Sequence, residues 1–196
     1  MAVIVYGLGQ TINDPRNATD LDHRAGDLRG NGYIVIEVQS DTLAQVGKAS
    51  EPSESGTAIL SEAVQDVTAN GSVGSDIDIT GFSRGGGSVV QLTNALTDSG
   101  IAGSRISLDL VDPYMGASSH TINDPSVSVT VKKSMGFHPI NVLVIDFGAM
   151  LMGLDNRTVS QRSALSGFQD KNPLFFNLPH TRMDSCVSSG GALSGC

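Results

Sequence analysis

The chain has 196 residues, with 12 Lys and Arg set against 20 Asp and Glu for a formal net charge of -8. That length can bury a substantial apolar core without metal or disulfide help, so residues 1–196 are expected to form a single domain, with a Ser/Gly-rich tail from about residue 185. The acidic balance argues against a nucleic-acid or anionic-membrane surface, which needs clustered Lys and Arg. The longest apolar run, Val142 to Leu154, is broken by Asp146 and two glycines, so no transmembrane segment is expected.

In chain order, Ala2 to Tyr6 opens the sequence as an apolar, β-branched run with no charged leader before it, as expected of a cytoplasmic protein or of one whose leader has been removed. Asp20 to Leu28 is a charge-rich helix candidate leading through Gly30 and Gly32 into a second strand, Ile34 to Val38. Ala58 to Thr68 spaces Ile59, Leu60, Ala63, Val64 and Val67 at helical intervals, with Asn70-Gly71 as a stop. Ile77 to Thr80 is the third strand, and Val89 to Leu96 repeats the helical spacing. Ile106 to Val111 is the fourth strand. Strands alternating with helices make parallel βαβ units, so the fold class is α/β: a mostly parallel sheet with helices on both faces and the site at the C-terminal strand ends.

After Pro113 the pattern loosens. Val127 to Val131 and Val142 to Ile145 are further strands, and Asp155 to Ser166 is a polar helix or a long loop. The string Thr-Ile-Asn-Asp-Pro occurs at 11–15 and again at 121–125, where it is turn chemistry and too short to be an architectural repeat. Cys186 and Cys196 are the only cysteines, in neither metal nor redox spacing; they are a tail-closing disulfide or two free thiols according to compartment, and the disulfide would favour a secreted or periplasmic protein.

The informative residues are Gly81-Phe82-Ser83-Arg84-Gly85, between the third strand and a helix that starts near Gly86. A G-x-S-x-G in that setting is a strand-to-helix elbow that exposes a strained serine, with glycines where backbones pass too close for a Cβ. The structural alternative is a glycine-rich helix entry that packs or cradles a phosphate, disfavoured because no Lys-Ser or Lys-Thr pair follows. A third reading, a flavodoxin-like or nucleotide-binding module, would place ligand near Gly7 to Gln10, although Gly7-Leu8-Gly9 lacks the third glycine of a dinucleotide loop.

With Gly-Phe-Ser-Arg-Gly as its elbow, the chain resembles the α/β-hydrolase superfamily, close to the lipases and esterases, over roughly residues 2–115 and more loosely beyond. Tyr6-Gly7-Leu8-Gly9-Gln10 falls where the family has its His-Gly turn, with Tyr6 in place of the histidine, and the family's two preceding strands are missing, which gives a minimal, capless version. The resemblance implies the order serine, acid, histidine. Ser83 is then the nucleophile. His180, the last histidine and the one after the apolar stretch Leu174 to Phe176, is the base, ahead of His138 and His120; His23 is out of order. Asp112, after the fourth strand, is the acid, with Asp146 as its rival and Asp155 a further candidate; Asp109 lies inside its strand, too far from the rim. The oxyanion donors implied are the backbone N–H groups of Arg84 and Leu8, with Gly9 or Gln10 replacing Leu8 if the turn is shifted.

The activity implied is hydrolysis of a small-molecule or surface-presented carboxylic ester through an acyl-enzyme, with no cofactor. No metal is expected, because the histidines lack i, i+4 spacing and no cysteine pair completes a site. An acyltransferase or thioesterase would use the same residues, and a catalytically silent hydrolase-like binding protein is the alternative from outside the enzymes. The oligomeric state is left open.

Overall fold

A computed structural model describes residues 1–7, 20–39, 54–70, 75–113, 121–134 and 174–176, together with 183, 186, 188–189 and 192–193. Six strands, β1 (Ala2–Tyr6), β2 (Val35–Gln39), β3 (Ile77–Phe82), β4 (Ile106–Val111), β5 (Ser128–Ser134) and the short β6 (Leu174–Phe176), form one sheet in the order β2-β1-β3-β4-β5-β6. Every pairing in it is parallel. The expected α/β class with a parallel sheet is what forms. A separate two-stranded antiparallel ribbon joins β7 (Ser188–Ser189) to β8 (Ala192–Leu193).

Helices cover both faces. On one, α2 (Glu54–Asn70) and α3 (Arg84–Asp98) bury Ala63, Val67, Val89, Val90, Leu92 and Leu96 against Val3, Val5, Ile77, Ile79, Leu108 and Leu110. On the other, α1 (Asp20–Gly30) turns Leu21, Ala25 and Leu28 onto Ala2, Ile4, Tyr6, Phe82 and Val111. The alternation explains itself: successive strand residues point to opposite faces, and a parallel sheet with helices on both sides needs apolar residues on both. The chain leaves β1 for β2 by way of α1, then returns past β1 to β3 by way of α2. Right-handed crossovers in opposite directions put their helices on opposite faces.

Each expected element that lies within the described residues forms; β1 and β4 have the expected ends and the others are displaced. The helix expected over Ala58 to Thr68 runs Glu54–Asn70, and that over Val89 to Leu96 begins at Arg84, because a helix ends with its backbone hydrogen bonds rather than with its apolar stripe. The second strand is displaced by one residue to Val35–Gln39 and the fifth runs on to Ser134. The strand expected at Val142 to Ile145 and the helix or loop at Asp155 to Ser166 lie outside the described residues. The second Thr-Ile-Asn-Asp-Pro string is a pinned turn: the Asn94 side chain donates to Thr121 O and accepts from Asn123 N, while Asp124 accepts from Gly103 N and Ser126 N.

Candidate active site at the strand ends

The order of the sheet reverses between β1 and β3, whose chain connections leave in opposite directions. In open α/β sheets the crevice outside the strand ends at such a switch point is where ligands bind. The carboxyl end of β1 delivers Gly7 there and that of β3 delivers Ser83.

Ser83 has φ 53° and ψ -121°, and it stands between the last residue of β3 and the first of α3. Serine is among the favoured helix caps, yet its side chain makes no capping hydrogen bond to α3. The backbone around it is fixed on both sides: Ser83 N–H donates to Val111 O at 3.0 Å, and Ser83 O accepts from Gly86 N at 3.0 Å. The turn is therefore held by β4 and by the first turn of the helix, and the conformation costs an order of 1–3 kcal/mol that packing must offset.

The flanking glycines are dictated by close approach. A Cβ on Gly85 would lie 2.7 Å from Tyr6 O and 2.9 Å from the carbonyl carbon of Val5, so α3 starts directly against the backbone of β1. A Cβ on Gly81 would meet Val89 Cγ2 at 2.6 Å and Gly85 O at 2.8 Å. One on Gly86 would meet Pro113 Cβ at 2.6 Å, which seats the Asp112-Pro113 turn on the start of α3.

Asp112 lies beside Ser83. Phe82 pairs with Val111 in the β3–β4 register, so the next residue of each strand is Ser83 and Asp112. Asp112 N–H donates to Lys132 O at 2.6 Å, and its φ is 40°. Among the described residues, Ser83 and Asp112 are the only non-glycine residues with positive φ. Strained backbone of this kind concentrates at functional sites.

Of the oxyanion donors expected, Arg84 is the first residue of α3, where backbone N–H groups lack intrahelical acceptors and the helix dipole is positive; Leu8 lies outside the described residues, as do Gly9 and Gln10. His180, His120, His138, Asp146 and Asp155 lie outside them too. His23 is exposed on α1. Asp109 has a role the sequence did not disclose: its Oδ2 accepts from the buried ammonium of Lys132 at 2.7 Å.

At the carboxyl end of β1, the fully buried Tyr6 sends its phenol to Glu37 Oε1 at 2.6 Å and Asp22 Oδ1 at 2.9 Å, and Arg29 pairs with the same Glu37. Burial, then hydrogen bonding to the two carboxylates, push the phenol far above the ordinary tyrosine range, so it stays protonated. This residue, in the position where the resemblance has a histidine, ties β1, β2 and α1 together directly beneath Gly7. Its alternation with Ala2 and Ile4 was legible; its two acidic partners, from α1 and β2, were not.

Cys186 is disulfide-bonded. Among the described residues no group of His, Cys, Asp and Glu is placed to hold a metal ion, and no helix is long and apolar enough to cross a membrane. No protein-family model and no curated protein matches the chain.

Proposed function

We propose that the chain is a serine hydrolase of the α/β-hydrolase type acting on carboxylic esters, with Ser83 as nucleophile, Asp112 as acid and His180 as base. The observation that carries this reading is the Ser83 backbone: φ 53° and ψ -121° at a strand-to-helix turn on the switch point, with the hydroxyl unused as a helix cap. A helix-entry serine with only a packing role has no need of strain and ordinarily caps the helix.

Two further facts support it. Asp112 occupies the neighbouring strand end in register and is the other strained non-glycine residue among those described. Met183, three residues after His180, is fully buried in the same apolar cluster as Phe82 and Val111, which immediately precede Ser83 and Asp112. Three residues of chain span at most about 11 Å, so the tether from that cluster is short enough for an imidazole to serve this rim.

In the proposed reaction Ser83 Oγ attacks the ester carbonyl as His180 takes its proton, and Asp112 orients and stabilises the imidazolium. Negative charge on the former carbonyl oxygen faces the Arg84 N–H at the start of α3 and an N–H of the Gly7-Leu8 turn. His180 returns the proton to the departing alcohol, and water, activated the same way, releases the acid and restores Ser83. The disulfide at Cys186 favours an oxidising compartment as the working environment.

Against the flavodoxin-like reading, which shares the strand order at the switch point, stands the strained turn that follows β3. The test is hydrolysis of p-nitrophenyl acetate and butyrate. We expect turnover that falls at least 1,000-fold in Ser83→Ala and His180→Ala, in line with loss of a triad member. Turnover on short chains is expected to exceed that on long ones in a capless site. Equal activity in wild type and Ser83→Ala would refute the assignment.

A further inference from the structure

We infer that Lys132 is a positioning residue: from β5 it fastens the C-terminal segment downstream of His180 to the strand ends that carry Asp112. Three bonds meet on this one residue. Its carbonyl accepts the Asp112 N–H at 2.6 Å, and its ammonium donates to Asp109 Oδ2 at 2.7 Å and to the carbonyl of Cys186 at 2.8 Å. Lys132 is 2% exposed, which is rare for a lysine and requires the charge to be paired.

The geometry separates this role from plain core packing. Lys132 alternates with Val131, whose side chain joins the α2–α3 face, so its own side chain lies on the opposite face, where Met183 and Cys186 are buried with Phe82 and Val111. Asp109 fixes the ammonium laterally from β4, and a second of its three donors reaches a backbone carbonyl rather than a side chain. A backbone contact fixes the course of the segment itself. That carbonyl belongs to the disulfide-bonded cysteine, so the clamp closes where the tail is also covalently tied. His180 lies six residues upstream of it.

The inference rests on the Ser83, Asp112 and His180 reading for its catalytic consequence, though not for the docking. Removing Lys132 alone would strand the Asp109 carboxylate and threaten folding. The decisive variant is therefore Lys132→Met with Asp109→Leu, which replaces the pair by apolar side chains and leaves no buried charge. Hydrogen exchange through Met183 to Cys186 is expected to rise at least tenfold in this variant. The kcat for p-nitrophenyl acetate is expected to fall at least tenfold with KM within twofold of wild type. Unchanged exchange overturns the docking whatever the activity. Raised exchange with unchanged kcat, in a wild type whose turnover depends on Ser83 and His180, overturns the positioning role. A wild type whose turnover survives Ser83→Ala instead fails the underlying reading, and the exchange result then judges the docking by itself.

Discussion

Replacing Ser83 by glycine is expected to make the protein more stable while abolishing the proposed esterase activity. At φ 53° and ψ -121° a Cβ is sterically penalised, and such a conformation costs on the order of 1–3 kcal/mol. Glycine removes that cost but gives up about 0.5–1 kcal/mol through the greater freedom of the unfolded chain. The net gain is about 0.5–2 kcal/mol. Ser83→Ala is the control, because it removes the same hydroxyl and keeps the Cβ, hence the strain. The difference between the two variants isolates backbone strain from any hydrogen bond of the hydroxyl. For a domain of this size each kcal/mol moves the thermal midpoint by about 2–4 °C, so Ser83→Gly should melt about 1–8 °C above Ser83→Ala. Urea unfolding at 25 °C gives the free energies directly, with equal m-values as the check that both unfold from the same compact state. A glycine variant equal to or less stable than the alanine variant would refute the claim that the fold holds Ser83 under strain.

The other predictions concern its surroundings. Gly85→Ala should cost about 3 kcal/mol or more, at or beyond the upper end for overpacking, because the new Cβ meets β1 backbone that no side-chain rotation can clear; a loss below about 0.5 kcal/mol in urea would show that α3 stands off from β1. Gly81→Ala, whose closest obstacle is the Val89 methyl, should cost less. Tyr6→Phe should lower stability at pH 7 by about 1.5–3 kcal/mol through loss of a phenol bonded to carboxylates. Tyr6 has a raised folded pKa, so its contribution is complete below the unfolded value near 10 and is lost as pH rises beyond it. Between pH 9 and 11 the wild type should therefore lose about 1.4 kcal/mol more than Tyr6→Phe; parallel losses in the two proteins would mean the phenol ionises equally in both states.

The elements that positioned the site were legible because their signals are local. Ile77, Ile79 and the glycines around Ser83 announce a strand, a sharp turn and a helix entry within a dozen residues, and the close contacts of Gly81, Gly85 and Gly86 explain each of those glycines. Asp112 was readable as a carboxylate at a strand end from Val111 before it and Pro113 after it. What the sequence concealed is pairing at long range. Asp109 and Lys132 stand 23 residues apart, and Lys132 and Cys186 54 apart. Polar residues inside two neighbouring strands were nonetheless a usable signal, since a sheet covered on both faces obliges such charges to find one another. Tyr6 with Asp22 and Glu37 is the same case: each partner sits on a different element, and only the β1–β2 register with α1 laid across it brings them together.

The nucleophile can be tested by covalent capture. A fluorophosphonate reacts only with a serine activated by a neighbouring base, so intact-mass analysis and peptide mapping should find one adduct per chain, on Ser83, absent from Ser83→Ala and strongly slowed in His180→Ala. A folded wild-type protein that takes up no adduct, or carries it on another residue, would contradict the account.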